Sequence, residues 1–476
     1  MADRERPYIF YDTTTCLCST CLRKIEGKIV FENDKVYLLK RCSQHGFERV
    51  LMADDIDYYK RCREVFLKPP EMPNFFQTPI QYGCPYDCGL CPDHEQHSCL
   101  SLIEITDHCN LRCPVCYASS GPHRPEFKDL ATIERMLDLI VKSERHPDVV
   151  QISGGEPTVH PDFFAVLDAC KRRPIRHLMV NTNGIRIAKE AGFAERLAEY
   201  MPDFELYLQF DSLEERPLRE LRGADLRGVR QQALEKLNRL GISTTLVVTV
   251  ARGLNDHEMG HIIDWAVDQP AIRGITFQPV QVAGRVENFN PARHRLTVSE
   301  VRRKITEQTN LFRREDIIPV PCHPDALAMG YALKVGGKLM PLTGLIDPKI
   351  LIEGGRNTIV YENDDAVRDN LFQVFSTNHS PQSAALKLRD LLCCLPGVLA
   401  PEGLGYANVF RILILQFLDA YSMETRSVKK SCIHFATTDG RLIPFDTYNL
   451  FYRDQLEATR LAELRAPASL VSLPAR

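Results

Sequence analysis

The chain lacks any apolar run long enough to cross a bilayer. A spanning helix needs about 18 consecutive apolar residues, and the longest apolar stretch, Val409 to Leu418, is broken by Arg411 and Gln416. The opening residues, MADRERPYIFYDTTT, carry no apolar core of signal-peptide length. These absences predict a cytoplasmic protein. Positive charge is not in excess either. Lys and Arg number 59 against 62 Asp and Glu, a net charge of -3, so no nucleic-acid partner is expected. No internal repeat of solenoid length is present. Composition is that of an ordinary globular protein, with 25% charged and 44% hydrophobic residues.

Cysteine is what the chain has in abundance: 17 residues, most of them between Cys16 and Cys116. In a reducing compartment these do not read as disulfides. Thiolates at short, repeated spacings are ligands for soft metal centres. Cys18-Ser-Thr-Cys21 and Cys42-Ser-Gln-His45 form two knuckles that predict a mononuclear site, either tetrahedral zinc or rubredoxin-like iron. A hairpin of Lys28–Phe31 and Lys35–Lys40, turned at Asn33-Asp34, connects them. Further on, Cys84, Cys88 and Cys91 are spaced C-x3-C-x2-C, and Cys99 follows. Four thiolates there could close an auxiliary [4Fe–4S] cluster, or a zinc site of four cysteines. Cys322, Cys393, Cys394 and Cys432 are scattered. They could assemble a second auxiliary cluster in space, with His323 or His434 as further donors, or be buried structural cysteines. Cys16, Cys62 and Cys170 read as spares, Cys170 in a helix core.

Four regions are expected: a cysteine-rich metal module at 1–75, an auxiliary-cluster segment at 76–100, an α/β region at 101–287 and an α+β region at 288–476. Prolines in Lys68-Pro-Pro-Glu-Met-Pro separate the first two. Between 101 and 287, strands at Ser101–Thr106, Val149–Ser153, His177–Asn181, Glu205–Phe210, Ser243–Val250 and Gly274–Pro279 alternate with helical patterns. These helices are expected at Asp129–Lys142, Phe163–Lys171, Ile187–Tyr200, Leu226–Leu240 and Asp256–Val267. That alternation predicts a parallel sheet curled into a partial (βα)6, TIM-like barrel, with its site at the C-terminal strand ends. In the last region Thr297 caps a helix through Asn310, and Leu386–Leu392 and Tyr406–Tyr421 read as apolar helices.

The first barrel strand runs into Asp107-His-Cys109-Asn-Leu-Arg-Cys113-Pro-Val-Cys116-Tyr117. Three thiolates on one loop can hold three irons of a [4Fe–4S] cluster, leaving the fourth iron open to a small ligand. The motif resembles the radical S-adenosylmethionine (SAM) superfamily. That resemblance implies that SAM chelates the open iron and is cleaved reductively to a 5′-deoxyadenosyl radical. An isolated spacing of this kind could also be a structural metal knuckle. Against that stands Gly154-Gly155-Glu156-Pro157, one strand later, which resembles the superfamily's SAM-binding GGE motif. By the same resemblance Asn183, Gln209 and Asp211 are expected near SAM, with Tyr117 as the aromatic beside the adenine, since Val115 precedes the third cysteine.

A narrower resemblance rests on Tyr82-Gly-Cys-Pro-Tyr-Asp-Cys-Gly-Leu-Cys-Pro-Asp-His94, on His97-Ser-Cys99, and on Cys432-Ile-His-Phe followed by Ile443 to Arg453. These are similar to a subgroup containing archaeal tetraether lipid synthase and class D hydroxymethylpterin methyltransferases. The subgroup implies three [4Fe–4S] clusters, one mononuclear metal, bond formation at unactivated carbon, and a reduced ferredoxin- or flavodoxin-type electron donor. Around Cys322 this chain has fewer cysteines than the archaeal members. The leading expectation is coupling or modification of lipid chains, with an apolar tunnel and peripheral membrane contact. The alternative is methylation of a pterin or other small molecule in a polar pocket. Peptide maturation and a non-catalytic electron carrier are weaker readings.

Overall fold

The computed structural model describes residues 6–335, 338–341, 343 and 408–466. The chain opens with a four-stranded antiparallel sheet, β1 (Ile9–Leu17), β2 (Lys24–Glu32), β3 (Lys35–Cys42) and β4 (Gly46–Ala53), in sequential order. Its β2–β3 turn sits at Asn33 and Asp34, both at positive φ (50° and 59°), the geometry of a two-residue primed turn. Helix α1 (Ile56–Glu64) follows, capped by Asp55. The module is tied to the rest of the chain by buried Lys40, which donates to the carbonyls of Leu17, Ala420 and Tyr421.

The main sheet begins with β5 (Leu100–Glu104), and a two-residue strand β6 (Val115–Cys116) lies beside its outgoing loop. Then come α2 (Leu130–Glu144), β7 (Val149–Ser153), α3 (Phe163–Lys171), β8 (His177–Thr182), α4 (Ile185–Lys189), α5 (Phe193–Ala198) and β9 (Phe204–Gln209). They are followed by α6 (Glu215–Arg222), α7 (Arg227–Leu240), β10 (Thr244–Val250), α8 (Met259–Val267), β11 (Ile272–Pro279) and β12 (Arg285–Val286). Strands β5, β7, β8, β9, β10 and β11 are parallel neighbours in that order. Their helix-facing residues, among them Ile103, Ile152, Val180, Leu206, Val248 and Ile275, form one core with the helices. The expected helix Ile187–Tyr200 is two helices: the chain leaves α4 at Glu190, which is extended (φ -88°, ψ 129°), and α5 restarts after Gly192 at φ 76°.

After α9 (Pro291–His294) comes α10 (Val298–Gln308), with Thr297 and Glu300 forming a reciprocal capping box. The chain then contributes β13 (Ile318–Pro319), β14 (Leu327–Val335), β15 (Lys338–Pro341), β16 (Val409–Leu415), α11 (Thr425–Val428), β17 (Ile433–Ala436), β18 (Leu442–Pro444), α12 (Phe445–Thr447) and α13 (Gln455–Arg465). Region 288–476 therefore extends the barrel sheet at both ends. β16 pairs parallel with β11, and β17 pairs parallel with β5.

The expected helix over Tyr406–Tyr421 is incorrect: its centre is strand β16. Val-Phe-Arg-Ile-Leu-Ile-Leu is paired on both edges, by β11 and β14, and is apolar on both faces because Phe410, Ile412 and Ile414 pack with Val301 and Ile305 of α10 while Leu413 and Leu415 pack toward Cys99, Cys322 and Cys432. A short continuous apolar run cannot be told from a buried helix by periodicity. Its one charged residue, Arg411, reaches the buried carboxylate of Glu205. Leu386–Leu392, Cys393 and Cys394 lie outside the described residues.

Candidate functional site

The loop leaving β5 is clamped between the ends of β7 and β12. Gly155 N donates to Thr106 O at 2.8 Å and Glu156 N to His108 O at 2.9 Å. A Cβ on Gly154 would lie 2.3 Å from Thr106 O, and one on Gly155 would lie 2.1 Å from His108 O. The glycines are therefore required by backbone contact with the cysteine loop. From the other side Arg285 Nε donates to Cys113 O and its Nη2 to Ser120 O, both at 2.6 Å, while β12 pairs with β6.

Cys109, Cys113 and Cys116 line one cavity at the C-terminal ends of the barrel strands, together with Tyr117, Gly154, Gly155, Glu156, Asn183 and Gln209. Pro157 and Asp211 are not in its wall. Burial pushes the Cys109 thiol up to about 12 and raises that of Cys113, against which the Arg222 guanidinium acts. Thiolates at such positions need a cation in place of their protons. Three thiols on one loop, facing a cavity with space in front of them, fit the cluster that the motif implies.

Around them the wall is a network. Glu156 is buried, and its carboxylate accepts from Thr158 N, Thr158 Oγ1, Thr182 Oγ1 and Asn183 N at 3.2, 2.6, 2.8 and 2.7 Å. It thereby locks the end of β8 to the end of β7, and burial raises its pKa. Asn183 Nδ2 donates to Asn110 Oδ1 at 2.7 Å, tying the cysteine loop to the same point. Asp211, expected near SAM, stands behind the wall in an ion pair. Asp211 is fully buried at φ 67° and receives Arg222 Nε and Nη2 at 2.7 and 2.6 Å. A buried carboxylate without that guanidinium would be unpaired. Arg222 also donates to Gln209 Oε1 at 2.9 Å and Thr249 Oγ1 at 2.8 Å.

Sequence reasoning missed Arg222, Arg230 and Arg285, since no spacing sets them apart from other arginines. Arg230 is 2% exposed and lines the cavity. Its Nη1 donates to Asn183 O, while Nε and Nη2 have no partner among the described residues. Burial pushes its pKa down to about 10. A guanidinium with free N–H groups at a cavity wall suits a carboxylate, and SAM carries one.

The other cysteines fall into three groups. Cys18, Cys21, Cys42 and His45 bring their donor atoms within 4.8 Å of one another. Cys84, Cys88 and Cys91 are each raised by burial, and the charge of Cys91 acts on both of the others, which places the three near each other. The Cys88 sulfur neighbours Thr447, two residues from Phe445 of the cavity wall. Cys99, expected with those three, stands elsewhere. It precedes β5, and its sulfur groups with those of Cys322 and Cys432, all within 4.8 Å. The reason is the pairing of β17 with β5, which sets Cys432 beside Cys99. His323 and His434 are turned to Ser427 Oγ and His94 Nε2, at 3.0 Å each.

Comparison with known proteins identifies relatives of this chain. Residues 103–266 match the radical SAM superfamily model, and residues 10–54 match an HMPTM N-terminal zinc ribbon domain. The chain is 31% identical to the 7,8-dihydro-6-hydroxymethylpterin dimethyltransferase of Methanocaldococcus jannaschii, over 93% of this chain and 94% of that protein. It is 29% identical to a GTP 3′,8-cyclase of Alkaliphilus oremlandii, over 52% of this chain and 72% of that protein. Among solved structures, Streptococcus suis SuiB bound to precursor peptide SuiA aligns with a TM-score of 0.36 at 16% identity, over 60% of this chain and 66% of that one. With a SAM-type cysteine loop, a GGE strand end and an end-to-end relative, the chain belongs to the radical SAM superfamily, in the family of that dimethyltransferase.

Proposed function

We propose that this enzyme methylates carbon on a pterin-type heterocycle, with Cys109, Cys113 and Cys116 as ligands of the SAM-binding cluster. One observation carries the reading: the likeness to the 7,8-dihydro-6-hydroxymethylpterin dimethyltransferase runs through nearly the whole length of both chains. When bound, the cluster and SAM supply a carbon radical able to take hydrogen from an unactivated carbon. The chain's own residues position and enclose. Asn181, Gln209, Gln278 and Gln281 give the inner wall amide groups, each with more donors and acceptors than its internal bonds consume. Phe417 and Phe445, stacked on each other, and Tyr117, edge-on to Phe445 with centroids 5.0 Å apart, give it a flat aromatic side. A planar heterocycle with a hydrogen-bonding edge suits such a wall. Arg230 is assigned to the SAM carboxylate, and Glu156 to holding the strand ends around its amino group.

Lipid coupling is less well supported. The apolar helix expected at Tyr406–Tyr421 is a strand inside the sheet, and among the described residues no helix is long and apolar enough to cross a membrane. The Cys84, Cys88 and Cys91 group is assigned to the auxiliary cluster, behind the Phe445 wall. The test is anaerobic incubation of the reconstituted enzyme with SAM, a low-potential reductant, 7,8-dihydro-6-hydroxymethylpterin and a source of the methyl carbon, either SAM in excess as a second, methyl-donating equivalent or a methylene-carrying reduced folate, followed by mass spectrometry. Methylated pterin is expected. Formation of 5′-deoxyadenosine with no methylated pterin would overturn the substrate assignment.

A further inference from the structure

The family resemblance implies a third four-iron cluster, and the remaining thiolate group does not have its dimensions. The Cys322 and Cys432 sulfurs are 3.7 Å apart, and Cys99 Sγ lies within 4.8 Å of both. A tetrahedral ion with metal–sulfur bonds of about 2.3 Å sets its sulfurs about 3.8 Å apart. In a four-iron cluster each thiolate sits on its own iron, so the sulfurs stand farther apart than the edge of any such tetrahedron. The zinc ribbon provides an internal standard: its Cys21 and Cys42 sulfurs are 3.8 Å apart. Among the described residues, only the ribbon set and this triad draw three or more donor atoms within 4.8 Å; neither Cys109, Cys113 and Cys116 nor Cys84, Cys88 and Cys91 do so.

A fourth donor stands beside the triad. His97 Nε2 is 3.5 Å from Cys99 Sγ, and its Nδ1 is 2.9 Å from Glu144 Oε2. Glu144 is itself held by Ser98 N at 3.1 Å and Ser143 Oγ at 3.2 Å. Glu144 on Nδ1 keeps the proton there; the other nitrogen, Nε2, also has Glu71 Oε2 at 3.8 Å, but that carboxylate is held by Lys68 Nζ at 2.6 Å, which leaves the Nε2 lone pair to a metal. All four residues are buried.

We propose that Cys99, Cys322 and Cys432 bind a single zinc ion, with His97 moving in from Cys99 as the fourth ligand. The donor set is then that of the ribbon, three thiolates and one imidazole, a closed structural type. Its place in the fold matches a structural role. Cys99 and Cys432 immediately precede the parallel strands β5 and β17, and Cys322 lies between β13 and β14. The ion would pin the start of β5, whereas the cavity opens past its end, about 16 Å away along five residues.

The test is zinc, iron and acid-labile sulfide per chain in anaerobically purified wild type, Cys322→Ser and His97→Ala, with zinc-edge X-ray absorption on the wild type. Two zinc ions per wild-type chain are expected, with a first shell averaging three sulfurs and one nitrogen. Cys322→Ser should lose one zinc with sulfide unchanged. His97→Ala should release one zinc to a chelator about tenfold faster or more. A wild-type zinc content that Cys322→Ser retains in full overturns the proposal. So does a fall in sulfide in Cys322→Ser, or a chelation rate unchanged in His97→Ala.

Discussion

Replacing Arg222 by Met should destabilise the barrel more than any exposed ion pair could. The Arg222 and Asp211 side chains are 12% and 0% exposed, and the pair is bidentate. Arg222 holds the Asp211 carboxyl below its usual range although burial pushes the other way. Removing one partner of a buried pair costs about 3–5 kcal/mol, because the other is left charged and unpaired. With a urea dependence of about 3 kcal/mol per M, the midpoint should fall by about 1–2 M. The chain has a built-in reporter. Its one tryptophan, Trp265, stacks on Phe210, the residue before Asp211, with ring centroids 5.1 Å apart. Its fluorescence therefore follows this part of the barrel. Adding Asp211→Asn to Arg222→Met removes the orphaned charge and should recover more than half of the shift. A midpoint change below about 0.3 M for Arg222→Met, or additive losses in the double variant, would refute the reasoning.

Three further outcomes follow from the site and its surroundings. Gly155→Ala drives a Cβ into His108 O, so iron and sulfide at the Cys109 loop should fall sharply on reconstitution, while the ribbon zinc stays. Glu156→Gln places an amide N–H against groups that already donate, at the same end of β7. SAM affinity should weaken by about tenfold to a hundredfold, with iron content unchanged, as read by equilibrium binding. Burial pushes Asp446 up to about 6, against bonds from Ser431 Oγ and Leu418 N. A carboxyl raised on folding contributes stability that is full below about pH 4 and lost as pH rises through about 6. Asp446→Asn should therefore gain up to about 3 kcal/mol on the wild type between those limits, and melting curves with no pH-dependent difference would contradict this.

The barrel was legible because its signals are local. The six parallel strands alternate with helices, and the expected strand Val149–Ser153 and helix Phe163–Lys171 coincide with the observed elements. The spacing of Cys109, Cys113 and Cys116 needs only one loop, as do the two ribbon knuckles. What sequence reasoning missed depends on distant partners. Cys99 reads as the fourth member of the preceding run until β17, more than 300 residues later, brings Cys432 beside it. Likewise β16 reads as a helix because the strands that pair its edges, β11 and β14, and the groups that cover its faces are unknown from the run itself. Arg222 and Arg285 act on a carboxylate and on carbonyls brought near by folding.

The most direct test of the central claim is SAM cleavage. Anaerobically reconstituted wild type, Cys113→Ser and Cys84→Ser would each be given SAM and a low-potential reductant, and 5′-deoxyadenosine would be quantified. The account predicts the nucleoside from wild type and Cys84→Ser and none from Cys113→Ser. Cleavage that persists in Cys113→Ser, or that disappears in Cys84→Ser alone, would contradict it.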